Sequence, residues 1–377
     1  MKFHLPTKII FGREVFSELE EVVEQEFHVS KILLVTDKGI MNSGIGDRVL
    51  SRLKSAHVFD EVESNPKSET INKGGELAQE INPDLVVGLG GGSSLDAAKA
   101  IALLSTNRGA IEDYEGREKY KTFPLPVLAI PTTCGTGSEV TWVSVITDTK
   151  RRFKMSIKGS RMYPAVALVD PDLLISLPPH LIASTGMDAL THAVEAYTAK
   201  VATFTTDIFA KESCTLIFSS IERAFKDVKG NIEAREKMML GSMLAGIAFG
   251  NSDVGAVHCL AEAIGGLCDL PHGVLNSIFL PLVMEFNLPV VEDRYAEIAK
   301  LTGISTKNKR IAAQELIEKI KILSHSLLIP SLKDLGLNES QFSVIARNAF
   351  QNNSNPYNPR EAQSEDYREI LVQALNQ

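Results

Sequence analysis

Asp188 and His192 stand four residues apart in Met187-Asp188-Ala189-Leu190-Thr191-His192, inside a helical pattern. That spacing puts a carboxylate and an imidazole on one helix face, one turn apart. His258 lies on a second apolar helical run. His272 sits in Leu270-Pro271-His272-Gly273, a turn that enters a further helix. Three imidazoles and one carboxylate suit a divalent cation such as Fe2+, Zn2+ or Co2+. Each residue alone also has a plainer reading: an Asp–His pair makes surface ion pairs, and a lone histidine sits satisfied in many cores. Cys259 and Cys268 offer a rival zinc set with His258 and His272. Neighbours such as His258 and Cys259 point about 100° apart on a helix, however. The two cysteines read better as small apolar fillers.

A second kind of chemistry is written in Gly88-Leu89-Gly90-Gly91-Gly92-Ser93-Ser94-Leu95-Asp96, which follows a strand pattern and opens a helical one. Glycines let a ligand approach the backbone, and a helix N-terminus offers free N–H groups and a partial positive charge to a phosphate. Ser93 or Ser94 can cap that helix. The string is not a G-x-G-x-x-G, because Ser93 takes the last glycine position. The acidic residue ending a strand, Asp37, lies upstream of the loop and not about 20 residues after it. A tight strand-to-helix turn is the simpler alternative. The loop Pro131-Thr132-Thr133-Cys134-Gly135-Thr136-Gly137-Ser138-Glu139-Val140-Thr141 is dense in hydroxyls and small residues. Such a loop can bond a ribose or a pyrophosphate.

The elements that position these residues come in two styles. Lys31–Thr36, Asp84–Leu89, Pro126–Ile130 and Ala165–Val169 read as short buried strands. Val15–Glu26 and Ser94–Leu104 read as helices between them. Strands alternating with helices argue a parallel sheet covered on both faces. After Leu177-Pro178-Pro179 the strand runs stop. Met187–Lys200, Thr206–Phe225, Ile232–Ala248, Val254–Gly265, Ile311–Leu328 and Glu361–Ala374 all read as helices. The expected organisation is an α/β dinucleotide-binding domain over residues 1–180 and an all-α, metal-binding domain over 181–377.

Length and composition agree with this. A chain of 377 residues is long enough for two domains, and 44% hydrophobic with 23% charged residues is ordinary for a folded protein. A net charge of −8 lacks the basic surplus of a nucleic-acid binder. Four cysteines make no disulfide framework and fit a reducing cytosol. The N-terminus lacks a signal-peptide apolar region, and no run approaches the ~18 apolar residues of a membrane span. The expectation is a soluble cytoplasmic protein with no nucleic-acid or membrane partner.

Taken in order, GGGSSLDAAKA, PTTCGTGSEVT, MDALTHAVEAY and VHCLAEAIGGLCDLPHG resemble the iron-containing, group III, metal-dependent alcohol dehydrogenases. The resemblance continues to Asn355-Pro356 and Asn358-Pro359-Arg360, so it spans essentially the whole chain. It implies a dehydroquinate synthase-like fold and hydride transfer between NAD(H) and a small alcohol or aldehyde. It also implies a homodimer or larger homo-oligomer. By resemblance, Asp188, His192, His258 and His272 match four metal ligands for one divalent ion, Fe2+ ahead of Zn2+. Gly91, Gly92 and Ser93 match the pyrophosphate loop, with Asp96 in the same motif. Asn65 matches a cofactor contact, and Thr132, Thr133 and Thr141 match contacts around the nicotinamide half and the phosphates. Lys154 matches a lysine near the nicotinamide ribose, and Phe249 matches a residue lining the pocket beside that ring. Asp37 matches the position facing the adenosine ribose, where a carboxylate accepts from a 2′-OH and repels a 2′-phosphate. That favours NAD over NADP.

One position departs from the pattern. Many members carry a histidine one turn after the third ligand, with a proton-handling role; here it is Glu262. Glu262 is therefore the candidate proton relay, with a partner to a metal ligand and an exposed helix glutamate as its other readings. Three functions compete with the alcohol dehydrogenase. They are a dehydroquinate synthase-type lyase or cyclase, a glycerol dehydrogenase-like or maleylacetate reductase-like enzyme, and a nucleotide sensor without turnover. The first needs a basic pocket for its anionic substrate, and no Lys/Arg cluster accompanies the ligand motifs.

Overall fold

The computed structural model describes residues 3–376 and divides into two compact units. One comprises His4–Thr133 and Gly137–Leu177; the other runs from Pro178 onward and includes the tripeptide Cys134–Thr136.

The first unit is built on a six-stranded parallel sheet of β1 (Lys8–Phe11), β2 (Ile32–Val35), β3 (Ala56–Phe59), β4 (Leu85–Gly90), β6 (Val127–Pro131) and β9 (Val166–Val169). Its spatial order is β1-β9-β6-β4-β2-β3. The four apolar runs read as strands are its four inner members. β2, β4, β6 and β9 are buried along their whole length, as strands covered on both faces must be. Alternate residues feed two cores: Leu33, Val35 and Val86 point to one, and Ile32, Leu34, Leu85 and Val87 to the other. The sheet grows one way from β2 to β3, then returns to place β4 on the other side of β2. The carboxyl ends of β2 and β4 therefore flank the reversal point, where ligands of open α/β sheets bind. Asp37 follows β2 there, and the glycine loop follows β4.

The edge strands β1 and β3 and a second sheet lie beyond the four strands expected from the sequence. There β7 (Val143–Asp148) pairs antiparallel with β8 (Phe153–Lys158), and β5 (Gly116–Arg117) adds to β8. These runs mix polar with apolar residues, so they lack the continuous apolar signal of the inner strands.

The second unit is helical. The Asp188 helix (Pro179–Thr198) packs with Phe204–Lys226 and Ile232–Ser252, and Ala256–Cys268 is followed by the 30-residue His272–Leu301. Pro271 ends the preceding turn, and the helix starts at His272. Pro281 and Pro289 lie inside it, and its backbone kinks at Val291. Among the described residues this is the one helix long and apolar enough to cross a membrane, and 67% of its apolar window is buried in the protein.

Candidate metal and nucleotide sites

The four inner-facing residues of the helical unit come from three helices. Asp188 and His192 lie on the first and are buried. His258 is buried on Ala256–Cys268, and His272, partly exposed, opens His272–Leu301. Asp188, His258 and His272 each bring one donor atom within 4.8 Å of the other two. Asp188 Oδ1 lies 3.9 Å from His258 Nε2 and 3.8 Å from His272 Nε2. His192 Nδ1 is 3.9 Å from the same oxygen; its ring stacks 4.3 Å from the Phe249 ring and lies tilted 4.3 Å from the His258 ring. Phe249 thus buttresses the His192 imidazole. Gly273 allows the helices to close: a Cβ there would come 2.4 Å from the Ser184 carbonyl oxygen and 3.4 Å from Asp188 Cβ.

Two residues that sequence reasoning passed over complete this cluster. Glu195, buried, takes a hydrogen bond of 2.5 Å from His258 Nδ1 and one of 2.8 Å from the Val257 N–H. A carboxylate behind one ring nitrogen fixes the tautomer and leaves the other nitrogen's lone pair for a cation. Burial pulls the His258 pKa down, yet the Glu195 hydrogen bond and charge outweigh it and the net shift is upward. His192 falls well below the usual imidazole range, through burial first and then the neighbouring His258 charge. The second residue is Asn276, whose Nδ2 lies 2.6 Å from Asp188 Oδ1 and 3.2 Å from both His258 Nε2 and His272 Nε2. The signal was present in both cases. Glu195 is seven residues after Asp188, and Asn276 four after His272, so each shares a helix face with a member of the cluster.

The Asn-rich segment near residue 355 positions the His258 helix. Asn358 Oδ1 accepts from the Ala256 N–H at 3.1 Å, capping a helix whose own N-cap residue, Gly255, has no side chain to do so. A Cβ on Gly255 would stand 2.8 Å from Asn358 Oδ1 and 3.1 Å from Glu195 Oε1. Glu262 accepts from Asn352 Nδ2 at 2.6 Å, one turn beyond His258.

In the α/β unit, register places the two candidate loops side by side. Gly90 pairs with Pro131, and the Thr132 N–H donates to the Gly90 carbonyl at 2.9 Å. Gly91 is the N-cap of Gly92–Thr106, so Gly92, Ser93 and Ser94 form its first turn, with N–H groups free for an anion. Gly90 has φ +141°, and a Cβ there would meet Ser94 Oγ at 2.6 Å; a Cβ on Gly91 would meet Thr133 at 3.1 Å. Asp37 caps the helix Lys38–Asn42 through the Ile40 N–H at 3.0 Å, and its other oxygen accepts from Ser94 Oγ at 3.2 Å. Lys154 Nζ donates to Asn65 Oδ1 at 2.7 Å, both buried.

Thr141 is buried, and the half-buried Asp96 is bonded within the protein. Asp96 Oδ1 accepts from Ser138 Oγ at 2.6 Å, Oδ2 from the Val145 N–H at 2.9 Å, and the carboxylate pairs with Lys99 at 3.0 Å. Lys99, buried on the same helix, also donates to the carbonyls of Ser138 and Val143 and lies 3.4 Å from Thr141 Oγ1. The helix that would hold a phosphate is thereby tied to the second loop. Glu139, buried nearby, is pushed up to about 7 by burial, with hydrogen bonding and the Lys99 charge opposing.

Comparison with known proteins decides what this arrangement belongs to. The family model described as iron-containing alcohol dehydrogenase matches residues 6–171, and that of the family's C-terminal part matches 182–375. The chain belongs to the iron-containing alcohol dehydrogenase family. It is 37% identical over 380 residues to the NAD-dependent methanol dehydrogenase of Bacillus methanolicus, covering 99% of each. It is 41% identical over 355 residues to the 1,3-propanediol dehydrogenase of Citrobacter freundii, covering 92% of this chain and 91% of that one. The crystal structure of a 1,3-propanediol oxidoreductase superposes with a TM-score of 0.95 at 38% identity, covering 99% of each chain. The chain is accordingly an alcohol dehydrogenase, a metal-dependent alcohol oxidoreductase.

Proposed function

We propose that this alcohol dehydrogenase uses NAD(H) and one divalent cation, Fe2+ ahead of Zn2+, to interconvert a small aliphatic alcohol or diol and its aldehyde. The observation that carries the proposal is the convergence of Asp188, His258 and His272 with Glu195 bonded behind His258. The residues fit a cation: His258 is held with its Nε2 lone pair toward Asp188, and the set mixes a hard oxygen with imidazoles. His192, its ring 4.3 Å from that of His258, is the fourth member of the set. A bound cation would supply Lewis acidity at the alcohol or aldehyde oxygen.

The remaining roles fall to the chain's own residues. The first turn of Gly92–Thr106, with Gly91 and Ser93, binds the pyrophosphate. Asp37 faces the adenosine ribose and disfavours a 2′-phosphate. Asn65 and Lys154 act as one bonded pair toward the nicotinamide ribose, and Thr132 and Thr133 contribute hydroxyls beside it. Phe249 packs at the ring end, and Glu262 handles the alcohol proton. Asp96 and Thr141 support the cofactor indirectly, through the Lys99 brace. The four cysteines are free thiols, which supports a reducing, cytoplasmic setting. A homo-oligomeric assembly is part of the proposal.

The test is metal analysis of anaerobically purified protein, followed by a screen of C1–C4 alcohols, diols and aldehydes with NAD(H) and NADP(H). One bound ion per chain and turnover with NAD(H) at least tenfold above NADP(H) are expected. Full turnover in metal-stripped protein would sink the metal role. A preference for NADP(H) would sink the assignment of Asp37.

A further inference from the structure

The helix Ala256–Cys268 carries one acidic side chain, Glu262, and no lysine or arginine; around it stand alanines, glycines and larger apolar residues. Glu262 lies four residues after His258 and so on the same face, about 6 Å further along the axis. It is half-buried, and its charge is felt at the His258 ring. A carboxylate drawn partly out of water is costly, and a basic partner ordinarily offsets that cost. Among the described residues no lysine or arginine pairs with Glu262. Its hydrogen-bond partner is the neutral amide of the buried Asn352, whose Nδ2 donates to Oε2 at 2.6 Å.

The direction of that amide is fixed. Asn352 Oδ1 already accepts from the Ser354 N–H at 2.9 Å, so the nitrogen end is the one turned to Glu262. Ser354 is anchored in its turn, its Oγ donating to Asp253 Oδ1 at 2.7 Å. Asn352 therefore orients the Glu262 carboxylate without neutralising it and leaves Oε1 for another donor. The charges of the neighbouring cluster lead to the same point. Asp188 and Glu195 together match the charge of one divalent ion, so Glu262 is a surplus negative charge beside a balanced centre.

We propose that Glu262 selects the substrate by charge: it receives the ammonium group of an amino alcohol whose hydroxyl lies two or three carbons away, and it disfavours substrates that end in a carboxylate. The length follows from the helix, since one turn of about 6 Å is roughly the span of such a chain from oxygen to nitrogen. The inference deepens the function proposed above and rests on its placing of Glu262 beside the metal centre. Proton handling by this carboxylate acts on every alcohol alike, whereas selection by charge acts on the far end of the substrate.

The experiment measures kcat/KM at neutral pH for 3-amino-1-propanol, 1-propanol and 3-hydroxypropanoate, a cationic, a neutral and an anionic alcohol of one chain length. Wild type is compared with Glu262→Gln, which keeps the shape, and Glu262→Asp, which keeps the charge. Saturation-transfer NMR of propylammonium and propanoate, which have no hydroxyl to oxidise, reads the same preference without turnover. Wild type should favour the cationic over the anionic alcohol by about a hundredfold, roughly tenfold from attraction and tenfold from repulsion in a partly solvated site. Glu262→Gln should cut that ratio at least about tenfold, while Glu262→Asp retains most of it. Propylammonium should give the stronger NMR signal with wild type and lose that advantage in the Gln variant. An equal loss on all three alcohols in Glu262→Gln would leave Glu262 with a proton role only and overturn selection by charge. So would the same change of ratio in the Gln and Asp variants. Wild type that oxidises none of the three would count against the function proposed above. The NMR comparison then stands by itself, and equal signals from the two ions would overturn the role of Glu262.

Discussion

The two halves of this enzyme solve the problem of holding a charged ligand in opposite ways. Around the glycine loop the groups we propose for recognition are backbone N–H groups of a helix N-terminus. Several motif side chains there are spent on the protein itself: Asp96 bonds Ser138 and Val145, and Lys99 is buried against the second loop. In the helical unit the backbone recedes and side chains converge from three helices, each steadied by another side chain: Glu195 behind His258, Phe249 against His192, Asn358 at the helix start. A backbone-built site tolerates exchanges of side chain and fails when a Cβ is added. A side-chain-built site fails when one functional group is removed.

The largest effect should come from His272→Ala. Lewis-acid stabilisation by a metal is worth several kcal/mol, so kcat/KM should fall by about a thousandfold or more, with bound metal lost. NADH affinity should change less than about threefold if the two sites are as separate in construction as described. Comparable losses of NADH and metal would break the contrast. Next comes Glu195→Gln, which leaves the size of the side chain intact but removes the negative charge behind His258. Metal affinity should drop about 10- to 100-fold, measured by chelator competition. A variant holding metal as tightly as wild type would show that Glu195 has no orienting role.

The corresponding change on the nucleotide side is Gly90→Ala. Its φ of +141° and the 2.6 Å approach to Ser94 Oγ both forbid a Cβ. KM for NAD should rise roughly tenfold while metal content stays at the wild-type value. Unchanged KM would mean that the loop shape is not what binds the cofactor. The smallest effect concerns Glu139, whose carboxyl is held up at about 7 by burial against an ordinary value of 4.5. Between those pH values the folded state carries more protons than the unfolded chain. Stability contributed by this group is therefore full below pH 4.5, falls as pH rises to 7, and is level above it. Glu139→Gln should raise Tm at pH 8 by about 2–4 °C and leave it nearly unchanged at pH 5. Parallel melting curves for the two proteins across that range would remove Glu139 from the account.

Much of the architecture was legible because its signals are collective. β2, β4, β6 and β9 are continuous apolar runs, since a sheet covered on both faces leaves no polar alternation, and the long helices repeat their pattern over many turns. β7 and β8 were not, because each is a short mixed run whose identity depends on its partner: Thr147 faces Lys154, and neither predicts the other. The candidate site divides the same way. Asp188 and His192 announce themselves by spacing on one helix. That Glu195 and Asn276 converge on His258 depends on helix packing between residues 63 and 18 positions apart. Nor does the sequence reveal that Asp96 bonds Ser138, Val145 and Lys99, because a strand–loop–helix pattern specifies the backbone and not the partner of each carboxylate.

The Asn358 contact to Ala256 has a consequence for how the protein is made. A ribosome must add 102 further residues after Ala256 before the amide that caps its helix exists. The α/β unit's inner strands are complete by residue 169, so the loops we assign to the cofactor can form while translation continues. With His258 as a ligand, as proposed, the helix that carries it gains its cap only once synthesis has passed residue 358, and cation loading in the final geometry would follow chain elongation.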